Sequence, residues 1–245
     1  MLDSAALRTR LNGVREAIAR AAGRVARDPA SVRLIAVSKT FSSDYVRAAA
    51  DAGHVDFGEN KVQEALQKME DTSDLSLRWH LIGHLQTNKA RKAVHFHTIH
   101  SIDDSTLLRR VDETSAALGR MVDGLIQVDM AGEPTKHGAR PGEVHSILEA
   151  GKTCSAARLK GLMLLPPAVD DPAASRPYFA ALRSFRDGLV ADGADPTMLN
   201  DLSMGMSHDF EVAVEEGATL VRVGAAIFGP RASPRSPVEP PGIGR

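Results

Sequence analysis

The sequence predicts an α/β fold in which eight parallel strands and eight helices form a single (β/α)8 barrel. From Val32 onward, short apolar runs rich in β-branched residues alternate with stretches of helical period. Several of these stretches end in glycine, which commonly follows a helix C-terminus. This alternation indicates βαβ units and a parallel sheet, and eight units in about 230 residues fit a closed barrel. A doubly wound open sheet is the alternative that the pattern leaves open.

The chain opens with a stretch typical of an amphipathic helix, because its apolar side chains recur at steps of three and four residues. Asp3 or Ser4 can cap the N-terminus of this helix, and Pro29 marks its end. The apolar stripe consists of Leu7, Leu11, Val14, Ile18, Ala21 and Val25.

Eight apolar runs are the candidate strands, and seven further helices are predicted between them. In chain order the strand candidates are VRLIAVS, VDFG, RWHLIG, FHTIHSI, GLIQVDM, LKGLMLL, MLNDLSM and LVRVGAAIF. The helical stretches are SDYVRAAADAG, NKVQEALQKME, QTNKARKAV, DSTLLRRVDETSAAL, PGEVHSILEAG, SRPYFAALRSFRDGLVADG and SHDFEVAVEEG.

A barrel of this kind places function at the carboxyl ends of its strands, so the strand ends select the candidate residues. Those ends read Ser38-Lys39, Gly58-Glu59-Asn60, Gly83-His84, Asp103, Asp129-Met130, Leu164-Leu165, Met204-Gly205 and Gly224-Ala225.

The bulk composition favours a soluble cytoplasmic protein. A formal net charge of −1 over 245 residues gives no reason to expect nucleic acid or an anionic membrane as a partner. The N-terminus has no apolar segment typical of a secretory signal, and no apolar run is long enough for a membrane span. The single Cys154 cannot form an internal disulfide, which suits a reducing compartment.

The composition changes near the C-terminus, where we place a domain boundary. The segment 230–245, PRASPRSPVEPPGIGR, holds five of the thirteen prolines and shows no apolar period. Such composition is typical of disorder. We therefore predict one barrel domain over residues 1–229 and a disordered proline-rich tail over 230–245. A single barrel is large enough to stand alone, so we expect a monomer.

Three histidines in HFHTIH could suggest a metal site, since alternate residues of a strand share a face. These residues, His95, His97 and His100, precede or lie within the fourth strand. We expect them toward the N-terminal face of the barrel, which is associated with stability rather than function. The sequence therefore predicts no metal site.

Two segments near the C-terminus indicate a phosphate site. SMGMSHDFEVAVEEG runs from a strand through Gly205 into a predicted helix with Ser207 near its N-cap, where free N–H groups favour an anion. A simple serine cap is the alternative. Gly224 and Ala225 end the last strand, and the loops after strands seven and eight of such barrels commonly hold a phosphate.

Two basic residues are expected at the same barrel mouth. Arg222 lies two residues before Gly224 and should point to the same side as that glycine; a salt bridge with a strand-end aspartate is its alternative role. Lys39 ends the first strand and could simply extend its ammonium into water. Beside a phosphate site, a lysine that forms a Schiff base with a phosphorylated aldehyde is the better hypothesis. Pyridoxal 5′-phosphate (PLP) is such an aldehyde.

Six motifs, taken in order, resemble those of the YggS/PROSC family of PLP homeostasis proteins over about residues 5 to 230. The motifs are AVSKT, FGENKVQEA, WHLIGHLQTNK, GLMLL, LSMGMSHDFEVAVEEG and VRVGAAIFG. The resemblance implies a TIM barrel like the N-terminal domain of alanine racemase, with PLP as its cofactor. It also implies buffering or delivery of PLP rather than turnover of a substrate, with PLP-requiring apo-enzymes as candidate recipients.

The resemblance also implies the residues that surround the cofactor ring. Lys39 in VSKT would form the Schiff base, and Asn60 in FGEN would lie near the ring with Glu59 as a supporting residue. Met163 in GLML would pack near the ring. Arg222 in VRVG would face the pyridine nitrogen.

The phosphate would be held, by the same resemblance, by Ser207 in GMS and the backbone of Gly224 and Ala225. Ala225 departs from the family, whose members usually have a hydroxyl residue there. The lost side-chain donor would weaken the site by on the order of 1 kcal/mol without abolishing it.

The sequence favours a binding protein over an enzyme. A cation such as Arg222 discourages protonation of the pyridine nitrogen, so the ring becomes a weaker electron sink. Alanine racemase, which this site resembles, draws a tyrosine base from a second domain. Here Tyr45 and Tyr178 both lie within predicted helices. A PLP enzyme acting weakly on amino acids, like a racemase, is the alternative, and a metal hydrolase on a barrel is a third.

Overall fold

The computed structural model describes residues 2–132 and 137–230, and its eight strands form one closed parallel barrel in sequential order. The closure rules out the open doubly wound sheet. The strands are β1 Arg33–Val37, β2 Asp56–Glu59, β3 Arg78–Leu81, β4 Thr98–Ile102, β5 Val122–Gln127, β6 Ala157–Met163, β7 Asp201–Ser203 and β8 Leu220–Val223.

Helices of the described residues surround the barrel, as predicted. They are α1 Ser4–Arg24, α2 Ser43–Asp51, α3 Val62–Asp71, α4 Ala90–Ala93, α5 Ser105–Ala117, α6 Pro141–Gly151, α7 Arg176–Ala191, α8 Phe210–Glu215 and α9 Ala225–Phe228. Short 3-10 turns cover Pro29–Ser31, Thr87–Lys89, Pro172–Ser175 and Pro196–Met198. The short α9 was not predicted.

The opening helix forms where its apolar period predicts it. The Asp3 carboxylate accepts a hydrogen bond from the Ala6 amide at 2.9 Å, so Asp3 is the N-cap. The buried stripe lies against the barrel's outer layer, and α1 packs beside α2, α8 and α9. Val25 lies just outside the helix and is exposed.

Alternation along the strands separates two apolar layers. Side chains such as Leu34 and Ala36 face the helices and join the main core. A small second apolar cluster lies in the barrel interior and consists of Ile35, Leu125, Met163 and Leu220.

No helix within the described ranges is both long and apolar enough to cross a membrane. The predicted tail lies outside these ranges apart from Pro230, so the division into domains stays a prediction.

Gly161 in β6 permits close contact between two strands. A Cβ at this position would lie 1.9 Å from the Asp201 carbonyl oxygen of β7. We predict that Gly161→Ala lowers the free energy of unfolding by at least about 1–3 kcal/mol, because backbone must shift to admit the methyl group. The change is measured by urea unfolding.

Gly13 provides the matched control, since it is exposed in α1 and a Cβ there meets nothing within 4 Å. Gly13→Ala should raise the free energy of unfolding by about 0.5–1 kcal/mol through helix propensity. Equal effects from the two substitutions would contradict the role assigned to Gly161.

Candidate functional site

A cavity of about 530 Å³ lies at the carboxyl ends of the strands, as expected for a barrel of this kind. It brings together six of the seven predicted cofactor residues: Lys39, Asn60, Ser207, Arg222, Gly224 and Ala225. The seventh, Met163, is fully buried in the interior cluster and does not line the cavity. The remaining lining residues are Val37, Ile82, Leu165, Pro166, Ala168, Met206 and His208.

The backbone on both sides of Lys39 is fixed by charged side chains. The Lys68 ammonium donates to the Ser38 carbonyl oxygen at 2.8 Å, and the Thr40 amide donates to Glu64 Oε1 at 2.7 Å. Thr40 has φ of 71°, in the left-handed region that non-glycine residues seldom adopt. These contacts hold the turn that directs Lys39 toward the cavity.

Lys68 is the centre of a buried charge network that the sequence analysis missed. Its Nζ atom contacts Glu59 Oε1 at 2.7 Å and Glu64 Oε1 at 2.8 Å, and the residue is only 5% exposed. Burial raises the pKa of Glu59, although Lys68 and the Ser38 hydroxyl oppose this shift. The available signal was the position of Lys68 on the buried stripe of α3 with Val62 and Ala65.

Arg222 is buried beside the cavity and forms hydrogen bonds to neutral groups. Its Nη1 atom donates to Ser203 Oγ at 2.6 Å and its Nη2 atom to the Leu164 carbonyl at 2.8 Å. Burial lowers the pKa of Arg222 to about 10, so the group remains charged at neutral pH. Within the described ranges it forms no ion pair, so the alternative of a salt bridge with a strand-end aspartate is wrong.

A chain of hydrogen bonds leads from Arg222 through the barrel interior. His100 Nδ1 lies 2.9 Å from Ser203 Oγ, and His100 Nε2 lies 3.0 Å from His80 Nδ1. His80 Nε2 in turn lies 3.0 Å from Asp56 Oδ1. His100 was expected toward the N-terminal face; its side chain instead lies inside the barrel, between His80 and Ser203 at the end of β7.

The partners at the two ends fix the direction of every hydrogen bond in this chain. Burial lowers the pKa of both His80 and His100, so both rings are neutral at pH 7. Asp56, also bound by Arg78, keeps a pKa below its ordinary value despite burial, so it accepts from His80 Nε2. His80 Nδ1 must then accept from His100 Nε2, and His100 Nδ1 from the Ser203 hydroxyl. Ser203 Oγ is left to accept from Arg222.

Ser207 lies near the start of α8, as predicted, but in the turn two residues before Asp209, which is the N-cap; the alternative of a simple serine cap is therefore wrong. Helix α8 begins only at Phe210, because the Asp209 carboxylate accepts from the Met206 amide at 2.7 Å and holds residues 206–209 in the turn. Gly205 permits this turn with φ of 89°, and a Cβ there would lie 2.5 Å from the Ala213 Cβ.

The amides near Ser207 come from the loop after β8. Ser207 Oγ accepts from the Gly224 amide at 3.0 Å and from the Ala226 amide at 3.4 Å. Gly224 also lies close to β1, since a Cβ there would be 3.1 Å from the Val37 carbonyl oxygen. The site thus offers a hydroxyl and backbone donors in one place, with Ala225 as the next lining residue.

Comparison with known proteins gives matches over nearly the whole chain. A family model described as alanine racemase, N-terminal domain, matches residues 10–232. The chain is 41% identical over 226 residues to the pyridoxal phosphate homeostasis protein of Aquifex aeolicus, covering 91% of this chain and 97% of the relative. It is 44% identical over 219 residues to the protein of the same name from Pseudomonas aeruginosa, covering 89% and 91%.

Solved structures agree with these matches. PipY of Synechococcus elongatus, in a structure with PLP bound, has a TM-score of 0.77 and 41% identity, covering 86% of this chain and all of that chain. Alanine racemase of Clostridium difficile has a TM-score of 0.69 at 16% identity, covering 93% of this chain and 57% of that enzyme. The second likeness concerns the fold alone.

The neutral buried histidines make stability depend on pH. The unfolded chain takes up protons at histidine below about pH 6.5, whereas the folded chain does not, so unfolding becomes more favourable as the pH falls. We predict that the unfolding free energy falls between pH 7 and 5.5, approaching about 1.4 kcal/mol per pH unit for each such histidine. Urea unfolding at several pH values measures the slope.

His100→Gln should reduce this slope, because glutamine has no proton to gain. His145→Gln, an exposed histidine of α6, is the matched control and should leave the slope unchanged. The pKa of Glu59 is raised by burial, so this residue makes the folded state more stable as the pH falls, opposite to the histidines. Because Glu59 is present in every variant, its contribution cancels when the slopes of two variants are compared. An identical slope in His100→Gln and the parent chain would contradict the assignment.

Proposed function

The chain belongs to the family of pyridoxal phosphate homeostasis proteins, and we propose on this basis that its barrel-mouth cavity holds PLP for intracellular PLP homeostasis. The observation that supports this best is the convergence of Lys39, Arg222 and the Ser207–Gly224 pair on one cavity. PLP has three groups that need partners: an aldehyde, a pyridine nitrogen and a phosphate. The cavity offers one candidate partner for each.

Lys39 is the proposed covalent anchor. When bound, PLP supplies an aldehyde that forms a Schiff base with a lysine amine and a ring that can withdraw electrons. The Lys68 and Glu64 contacts fix the backbone at Ser38 and Thr40, so the amine of Lys39 is directed from a rigid turn. Asn60, at the end of the neighbouring strand β2, lines the same side of the cavity and would contact the ring.

Ser207 and the amides after β8 are the proposed phosphate site. The Ser207 oxygen receives hydrogen bonds from the Gly224 and Ala226 amides, a position that a phosphate oxygen could share or take over. The Ser207 hydroxyl would then donate to the phosphate, and Ala225 would contribute only its backbone amide.

Arg222 is the proposed partner of the pyridine nitrogen, and its surroundings favour binding over catalysis. The guanidinium remains charged, so it discourages a proton on the nitrogen and weakens the ring as an electron sink. Met163, packed below with Ile35 and Leu125, would support the floor of the cavity rather than touch PLP.

A carrier also needs an accessible cavity. Lys39, Asn60 and Ser207 are each partly exposed, and within the described ranges no second domain covers the barrel mouth. This arrangement suits a monomer that exchanges PLP with solvent or with apo-enzymes that require it.

A weak PLP enzyme acting on amino acids is the second candidate, because His208 lines the cavity and could move a proton. The two tyrosines do not support it: Tyr45 packs on Phe41 and Phe228, and neither it nor Tyr178 lines the cavity. His208 is bonded through Nε2 to the Asp170 carbonyl at 2.8 Å.

Borohydride reduction of the PLP-incubated protein, followed by peptide mass mapping, tests the anchor. We predict one phosphopyridoxyl group per chain, on Lys39, and its loss in Lys39→Ala. Lys89→Ala, which removes an exposed lysine, is the control and should keep the adduct. No adduct, or one scattered over surface lysines, would overturn the proposal.

Substitutions at the phosphate site should change PLP affinity in opposite directions. Ser207→Ala should raise the dissociation constant about five- to tenfold, and Ala225→Ser should lower it by a similar factor, since one hydrogen bond is worth about 1 kcal/mol. Equilibrium dialysis measures both. Ser146→Ala, at an exposed position on α6, should have no effect. An unchanged affinity in Ser207→Ala would remove this residue from the site.

Exchange of the α-hydrogen of amino acids with solvent deuterium separates carrier from enzyme. We predict no exchange above that of free PLP, because the ring is a weak electron sink beside Arg222. Exchange that exceeds this background and is lost in both Lys39→Ala and His208→Gln would favour the weak enzyme instead.

A further inference from the structure

A second cluster of polar side chains lies on the same rim of the barrel, outside the PLP cavity. His84 follows β3, Asp103 follows β4, and His137 lies in the connection from β5 to α6. Each of the three residues offers one ligand atom, and these atoms all lie within 4.8 Å of one another. From the sequence alone, His84 has no predicted role and no metal site is expected.

The distances in this cluster suit a metal ion. A tetrahedral ion about 2.1 Å from each ligand atom holds those atoms about 3.4 Å apart. His84 Nδ1 and Asp103 Oδ2 lie 3.3 Å apart. The rings of His84 and His137 are stacked with centroids 3.6 Å apart and planes 8° from parallel. Because a metal lies in the plane of an imidazole it binds, His137 would need to rotate its ring to complete the site.

The backbone that carries His84 and Asp103 is held in place. Ser101 Oγ donates to the Gly83 carbonyl at 2.8 Å, and a Cβ at Gly83 would lie 2.2 Å from the Asn60 carbonyl oxygen. The Asp104 carboxylate accepts from the Leu107 amide at 2.7 Å and caps α5 directly after Asp103. These contacts fix two of the three ligand positions before any ion binds.

His137 is tied to the barrel by its own backbone. The Gln127 side-chain amide at the end of β5 donates to the His137 carbonyl oxygen. The Ala139 amide donates to the Gln127 carbonyl at 2.8 Å, and the Asp129 amide to the Ala139 carbonyl at 2.9 Å. These bonds hold the main chain from the His137 carbonyl to Ala139 against the end of β5.

Histidines are the polar side chains nearest to the Asp103 carboxylate. His84 Nδ1 lies 3.3 Å from Asp103 Oδ2, and the ligand atom of His137 lies within 4.8 Å of both. Among the described residues, no lysine or arginine forms an ion pair with this carboxylate. A divalent cation would supply the missing positive charge.

We propose that His84, Asp103 and His137 bind a divalent first-row transition metal ion, such as Zn²⁺, at the rim beside the PLP cavity. Two imidazoles and one carboxylate form a donor set typical of zinc sites with one open coordination position. Water or a small anion would occupy that position. Asn60 lines the PLP cavity and its backbone packs on Gly83, so the metal site adjoins the cavity wall. The site does not depend on PLP.

Calorimetric titration of the untagged, PLP-free protein with Zn²⁺ tests the proposal, and Co²⁺ absorption reports the ligand set. We expect one equivalent of saturable binding, and at least a tenfold weaker affinity in each of His84→Gln, Asp103→Asn and His137→Gln. These side chains lie at the surface or are partly exposed, so the variants should fold, which circular dichroism checks.

His145→Gln is the matched control, because His145 and Glu149 form an exposed pair with only two ligand atoms, 3.9 Å apart. This variant should bind Zn²⁺ as the parent chain does. The absence of saturable binding would overturn the proposal. So would parent-like affinity in all three ligand variants, or loss of binding in His145→Gln, since either result would place the ion elsewhere.

Discussion

The pairing of β1 with β8 closes the barrel and brings the two ends of the chain's strand series to one cavity. Its register sets Ile35 beside Arg222 and Ala36 beside Val223. The residues that follow these two strands, Lys39 and Gly224, therefore reach the same part of the rim although 185 positions of sequence separate them. Gly224 has room for no side chain without crowding the Val37 carbonyl. Without this closure, the amine and the phosphate donors would belong to different edges of a sheet.

Inside the barrel, hydrogen bonds to neutral groups rather than an ion pair stabilise the buried charge of Arg222. Arg222 is 3% exposed, and its partners Ser203 and Leu164 are neutral. A chain through His100 and His80 carries the hydrogen bonds onward to Asp56 and Arg78 at the opposite end of the strands. The Ser203 hydroxyl and both histidine rings in this series have a hydrogen-bond partner on each side, which avoids the penalty of unsatisfied polar groups in a low-dielectric interior. The guanidinium is thereby fixed in orientation beside the cavity.

The rim uses two different ways of holding its functional groups. At Lys39, the side chains of Lys68 and Glu64 form hydrogen bonds to the backbone on either side of the residue. At His84 and Asp103, small residues and capping bonds do so, since Gly83 packs on Asn60 and Asp104 caps α5. Both arrangements fix the main chain next to the functional side chain, which positions that side chain from a rigid support.

Local period predicts the alternating strands and helices and the opening helix, and the rule that strand ends carry function predicts most of the cavity residues. Lys39, Arg222 and Gly224 could be found in this way. Met163 came only from the family resemblance, and its position in the interior cluster below the cavity could not be predicted. Closure of the sheet, the contact of Ser207 with amides from another loop, and the parts played by Lys68, His100 and Ser203 become visible only in the folded molecule. The Ser207–Gly224 and His100–Ser203 contacts join residues 17 and 103 positions apart, and no local pattern encodes which distant side chain completes a hydrogen bond.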